Sequence, residues 1–162
     1  MVTLTATTFI DNLAQELANN KWNAEEIRRN VNVEGTNFDL CAARQSVQYW
    51  RAFVTTLPQL IDKPTFQECI RIYETLRNRA QSWWMGDNSI LCIVAEKGVS
   101  PDVVPKVNDY SVGAFQIKSG GCLLCIADVP KRTAYMKVPR LPIPVHQISG
   151  GFKEIINRAL SR

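Results

Sequence analysis

The stretch WWMGDNSILCIVAEKG, residues 83–98, holds the turning point of this chain. Before Asp87 the apolar residues recur three and four apart, the spacing of a buried helix side. After it they come in short runs broken by Gly and Pro, the pattern of strands. Charge changes at the same place. Residues 1–88 carry nine Lys or Arg against ten Asp or Glu, and residues 89–162 carry ten against five. The cationic excess belongs to the second half.

Upstream of the turning point the reading is helical. Phe9, Ile10, Leu13 and Leu17 describe a short amphipathic helix. Asn23, with Glu26 completing a capping box, predicts a second short helix whose inner face is Ile27 and Val31 and which Gly35 stops. Residues 38–57 read as the first long helix, with Leu40, Val47, Trp50, Phe53, Val54 and Leu57 on one side and Pro58 forcing an exit. Arg44, Gln48, Arg51 and Thr55 follow one edge of that surface. No acid occurs between Leu40 and Ile61, so the two arginines lack a carboxylate one turn away. The second long helix starts near Pro64 and runs to about Trp84. It carries Phe66, Cys69, Ile70, Ile72, Tyr73, Leu76, Ala80, Trp83 and Trp84 on one side, with Arg77 set among them.

Downstream, Ser89–Ala95 reads as a buried strand followed by a turn at Lys97 and Gly98, and residues 101–108 as a loop. Residues 110–118 and 122–129, joined by Ser119, Gly120 and Gly121, read as a hairpin. Pro130, Pro139, Pro142 and Pro144 then predict an extended arm, and Phe152, Ile155, Ile156 and Leu160 a closing helix with Ser149 as its cap. The expected fold is α+β: an N-terminal helical layer of two long helices on a small, mainly antiparallel sheet, with a proline-rich arm and a C-terminal helix. With 162 residues, 46% of them hydrophobic, one domain is expected, helical over about 1–86 and sheet, arm and terminal helix over about 87–162.

The totals exclude several classes. No apolar run is longer than residues 122–127, far short of the ~20 residues that span a bilayer, and no basic N-terminal segment leads into an apolar stretch. Five scattered cysteines, an odd number, suit a reducing, intracellular, cytoplasmic setting better than a disulfide framework. Cys122 and Cys125 form a C-x-x-C, but a strand sends residues three apart to opposite faces, which opposes a shared metal. No metal or cofactor is expected. The single histidine, His146, limits nucleophilic catalysis to one site, for which a pairing with Cys125 is the imaginable case. Gly120 and Gly121 lack the helix and lysine of a phosphate-binding loop.

Charge gives the functional expectation. Between Val129 and Arg162 seven cations, Lys131, Arg132, Lys137, Arg140, Lys153, Arg158 and Arg162, face one acid, Glu154, a local balance of +6. Such density suits phosphates, with Tyr135 available to stack on a base. The expectation is a non-enzymatic intracellular binding protein whose contacts to nucleic acid or an acidic protein are Lys131, Arg132, Lys137, Arg140 and Tyr135, with Arg44 and Arg51 extending the surface. Two alternatives stand beside it. One is a protein-only adaptor or oligomeric subunit using the apolar arm, through Leu141 and Ile143, and a surface around Arg77 and Trp84. The other is a small Cys/His enzyme.

Overall fold

A computed structural model of the chain describes residues 2–45, 49–81, 88–110, 121–140 and 143–162. Thr5 opens the first helix, α1 (Ala6–Asn19), its hydroxyl accepting the Thr8 N–H at 3.1 Å. The helix buries Phe9, Ile10, Leu13 and Leu17, the residues its spacing singles out. One turn of 3-10 helix, Ala24–Glu26, leads into β1 (Arg28–Val33), β2 (Thr36–Gln45) and β3 (Tyr49–Leu57). Then follow α2 (Lys63–Gln81), β4 (Asn88–Ala95), α3 (Val104–Tyr110), β5 (Cys122–Asp128), β6 (Thr133–Tyr135) and α4 (Ile143–Ser161).

The six strands form one mixed sheet in chain order. β1, β2 and β3 are antiparallel neighbours, β4 and β5 run parallel to β3, and β6 returns antiparallel to β5. Helices cover both faces. On one, α1 and α4 pack Leu13, Leu17, Phe152 and Ile156 against Leu40, Val54, Cys92 and Cys125. On the other, α2 and α3 pack Phe66, Cys69, Tyr73 and Val107 against Phe53, Leu91, Ile93 and Leu124. β4 and β5 are buried at every residue, which is why they read as unbroken apolar runs. The Tyr73 hydroxyl donates to the Cys122 carbonyl at 2.9 Å, tying α2 to β5.

The α+β class stands, with four helices and the six-stranded sheet among the described residues. Several elements differ from expectation. The expected helix over 38–57 is the β2–β3 pair. Trp50, Ala52, Phe53 and Val54 are buried on both faces of β3, so strict alternation is lost and the residual spacing imitates a helix. The helix expected after Asn23 lasts one 3-10 turn. Its supposed stop, Gly35 (φ +79°), is the second residue of a two-residue hairpin loop with Glu34 (φ +51°), joining Val33 to its partner Thr36. Positive φ at both positions is what a type I′ turn requires.

The sheet is therefore larger and more parallel than expected. Residues 104–108, expected in a loop, lie in α3. In the expected hairpin, Tyr110 ends α3, residues 111–120 lie outside the described residues, and both sides of β5 are occupied by β4 and β6. The proline-rich segment contributes the short strand β6, and α4 begins at Ile143 with Pro144 in its first turn, where a missing N–H costs nothing. Ser149 is not a cap. It lies buried inside α4, its hydroxyl donating to the Val145 carbonyl.

Candidate anion-binding recess

Strand alternation decides which cations meet. Tyr49, Arg51 and Phe53 alternate along β3 toward the α2 side, opposite Gln45, Ala43 and Cys41 of β2. Arg28 of β1 lies across from Cys41. Arg79, in the last turn of α2, comes down over the same strands, its Cζ 5.9 Å from the Phe53 ring centre. Together with Glu26, Val31 and Val33 these residues, Gln45 apart, line a recess of about 290 Å³. Among the described residues, three arginines and Glu26 thus line it.

Aromatic rings orient two of those guanidiniums. Arg51 Cζ sits 5.2 Å from the Tyr49 ring centre, and the Tyr49 hydroxyl donates to Glu26 Oε1 at 3.3 Å. Cys41 lines the same recess, and burial pushes its thiol up to about 11 against the opposing pull of Arg79 and then Arg51. Forked donors held on rings next to a concave floor suit a polyoxyanion.

The cations expected at one surface fall in separate places. Arg44, two residues from Ala42 on β2, faces the α1–α4 side, in a shallow recess with Lys21, Glu154 and Arg158. Arg51 faces the other side. Lys131 and Arg132 belong to the β5–β6 turn, and Lys137 and Arg140 follow β6, three strand positions from β3 or about 15 Å. Four of the seven C-terminal cations are tied internally. Arg132 donates to the carbonyls of Leu160 and Val2, each at 3.3 Å. Lys153 Nζ donates to the Met136 carbonyl at 2.9 Å. Arg158 and Arg162 reach buried Glu16 at 3.0 and 2.5 Å. Lys131, Lys137 and Arg140 remain exposed, beside a half-buried Tyr135. Of the expected contacts, only Arg51 enters the arginine recess.

Arg28 and Arg79 were not singled out by sequence. Reading 38–57 as helix hid the sheet face that gathers them, and strand register is the signal that finds them. Of the partner-surface residues, Arg77 is half-buried on α2, its Nε enclosed without a hydrogen-bond partner among the described residues. Ile143 is 60% exposed at the start of α4. Trp84 and Leu141 lie outside the described residues.

The chemistry of the remaining candidates is quiet. Cys122 faces the α2 side and Cys125 the α1–α4 side, the divergence expected of a strand. The Cys92 thiol is pushed well up by its hydrogen bond with Cys125 and by burial; burial raises Cys122 and takes Cys69 up to about 12. These thiols stay protonated at neutral pH, the opposite of an activated nucleophile. His146 is exposed, with Nδ1 3.1 Å from the Pro139 carbonyl, whereas Cys125 is wholly enclosed. Among the described residues no group of His, Cys, Asp or Glu is placed to hold a metal ion, and no helix is long and apolar enough to cross a membrane.

Fold and site define the chain only as broadly as an α+β protein with a mixed six-stranded sheet and a cationic recess on one face. Comparison with known families, curated proteins and solved structures finds no match.

Proposed function

We propose that this is a non-enzymatic binding protein for an anionic partner, and that the partner is nucleic acid. The observation that carries the reading is the arginine recess: Arg28, Arg51 and Arg79 line one concavity around Cys41, which Glu26 shares. All three are arginines, whose planar forks match phosphate oxygens better than a lysine point charge does. Tyr49 and Phe53 hold two of the forks, which lowers the entropy lost on binding. Lys131, Lys137 and Arg140 supply a second cationic strip on the β6 side, suited to weaker, sequence-independent phosphate contact. An acidic protein is the competing partner.

The test is binding of a mixed-sequence single-stranded oligonucleotide at low salt, for wild type, Arg51→Gln/Arg79→Gln and Lys131→Gln/Lys137→Gln/Arg140→Gln. Wild type binds, the recess variant loses about tenfold or more, and the strip variant loses less. No binding by wild type at low salt rejects nucleic acid as partner.

A second reading rests on Ile143, 60% exposed where the arm meets α4. In it the arm mediates self-association, and light scattering at high concentration detects a dimer that Ile143→Asp abolishes. Monomer throughout the concentration range removes it.

A further inference from the structure

We infer that the β1 edge of the sheet is a self-association seam, where β1 pairs antiparallel with β1 of a second copy of this chain. Among the described residues β1 has one neighbour, β2, so its far edge offers unpaired backbone groups. Val33 and Thr36 close a two-residue loop as a hydrogen-bonded pair, so alternation turns the Asn32 N–H and C=O away from β2 and those of Val31 toward it. Symmetry then restricts the register. A two-fold axis perpendicular to the sheet keeps each side chain on its own face, so one residue must lie opposite its own copy. Centring on Val31 sets Asn32 across from Asn30 of the copy, and Arg28 across from Glu34 of the copy. Centring on Asn30 or Asn32 loses the second pairing. Arg28 and Glu34 are both exposed, and neither has an ion-pair or hydrogen-bond partner among the described residues. The ladder crosses Asn30 without shifting: despite φ +52° there, Arg29 opposite Leu40 and Val31 opposite Phe38 keep one offset, a course a second strand can follow. Arginine on an edge discourages foreign strands, but here it meets the acid that a second copy brings, so the same charge selects for self. The axis also leaves the two arginine recesses on one face of a continuous sheet, on either side of the seam.

Sedimentation velocity of the full chain at low salt, from about 1 µM to about 1 mM, reads the dimer; a strand-to-strand seam buries less than the ~1,200 Å² of stable complexes, so association falls in the upper part of that range. Arg28→Glu and Glu34→Arg each set like charges across the seam at two symmetric places and weaken the dimer about tenfold or more. The double variant Arg28→Glu/Glu34→Arg restores association to within about threefold of wild type. Thermal unfolding confirms that the variants are folded. A second readout fixes the register. In a Cys41→Ser background, Val31→Cys brings two thiols into a non-hydrogen-bonded pair with Cα atoms about 4.5 Å apart, within disulfide reach. Val33→Cys leaves them four strand positions apart, or about 13 Å. Diamide, taking up two electrons and two protons, links the Val31→Cys chain into a covalent dimer and leaves the Val33→Cys chain monomeric.

Monomer throughout, up to about 1 mM, overturns the inference. So does a dimer that Ile143→Asp dissolves and Arg28→Glu leaves intact, which assigns association to the arm instead. Failure of the double variant to restore association, or cross-linking of Val33→Cys as fast as Val31→Cys, overturns the seam centred on Val31.

Discussion

Glu16 and Asp128 are the carboxylates enclosed among the described residues, and each is answered by several donors. Glu16 on α1 receives Arg158 and Arg162 from α4, so the contact between the two helices includes a charge-assisted seam. Because both arginines are nearly half exposed, Glu16→Ala is expected to cost about 1–2 kcal/mol in urea unfolding, less than a fully buried pair. A loss below about 0.5 kcal/mol would show the seam to be ornamental. Asp128, at the end of β5, accepts the N–H groups of Val99 at 3.2 Å and Lys131 at 3.1 Å, pinning the turns after β4 and β5. Gly98 lies against it at φ +89°, and a Cβ there would stand 3.3 Å from Asp128 Oδ1. Gly98→Ala should therefore cost about 1–2 kcal/mol, and less in an Asp128→Ala background, where the crowding is gone but the φ strain remains. Full additivity in that double-mutant cycle would separate the two residues.

Among the elements, α2 shows how a helix start was legible. Asp62 precedes it, its carboxylate accepting the Thr65 N–H at 3.0 Å, and that hydrogen bond, reinforced by the Thr65 hydroxyl, holds the Asp62 carboxyl below the usual range while nearby Asp102 opposes it. A depressed native value means the cap's contribution is complete above the unfolded pKa and is lost as pH falls through the native one. Asn can cap as well but does not titrate. The difference in Tm between wild type and Asp62→Asn should then shrink in wild type's disfavour from about pH 7 to about pH 3, and a pH-independent difference contradicts the assignment. The start of α2 and the spans of β4 and β5 could be read because Pro64 and unbroken apolar runs are local signals. β2 and β3 could not. The absence of acids from Leu40 to Ile61 and the enrichment in Trp, Phe, Val and Thr were β signals, overridden by a chance three-four spacing. β2 adds its own irregularity. Phe38 and Leu40, two apart, enter opposite core clusters, because alternation slips at Asp39, opposite Asn30 at φ +52°. The Asp39 carboxylate takes the Thr56 N–H at 2.8 Å at that slip. No pattern of period two survives such a defect.

At the scale of the whole molecule, linear charge density and spatial charge density part company. The C-terminal fifth is the most cationic in sequence, yet folding spends Arg132, Lys153, Arg158 and Arg162 on internal contacts, while the near-neutral first half assembles Arg28, Arg51 and Arg79 in one recess. Only Arg51 was visible as a site residue beforehand, since the grouping depends on which strands are neighbours. The same sheet supplies a control on its architecture: Cys41 should react with a thiol reagent in the native protein well before Cys69, Cys92, Cys122 and Cys125, which should react only with unfolding. Simultaneous labelling of all five would contradict the layered core. The salt dependence of single-stranded oligonucleotide affinity tests the central claim most directly. Loss of two arginine–phosphate contacts makes the slope of log K against log salt shallower by about 1.4 in Arg51→Gln/Arg79→Gln than in wild type. A slope that is flat in wild type, or unchanged by removing those two guanidiniums, contradicts it.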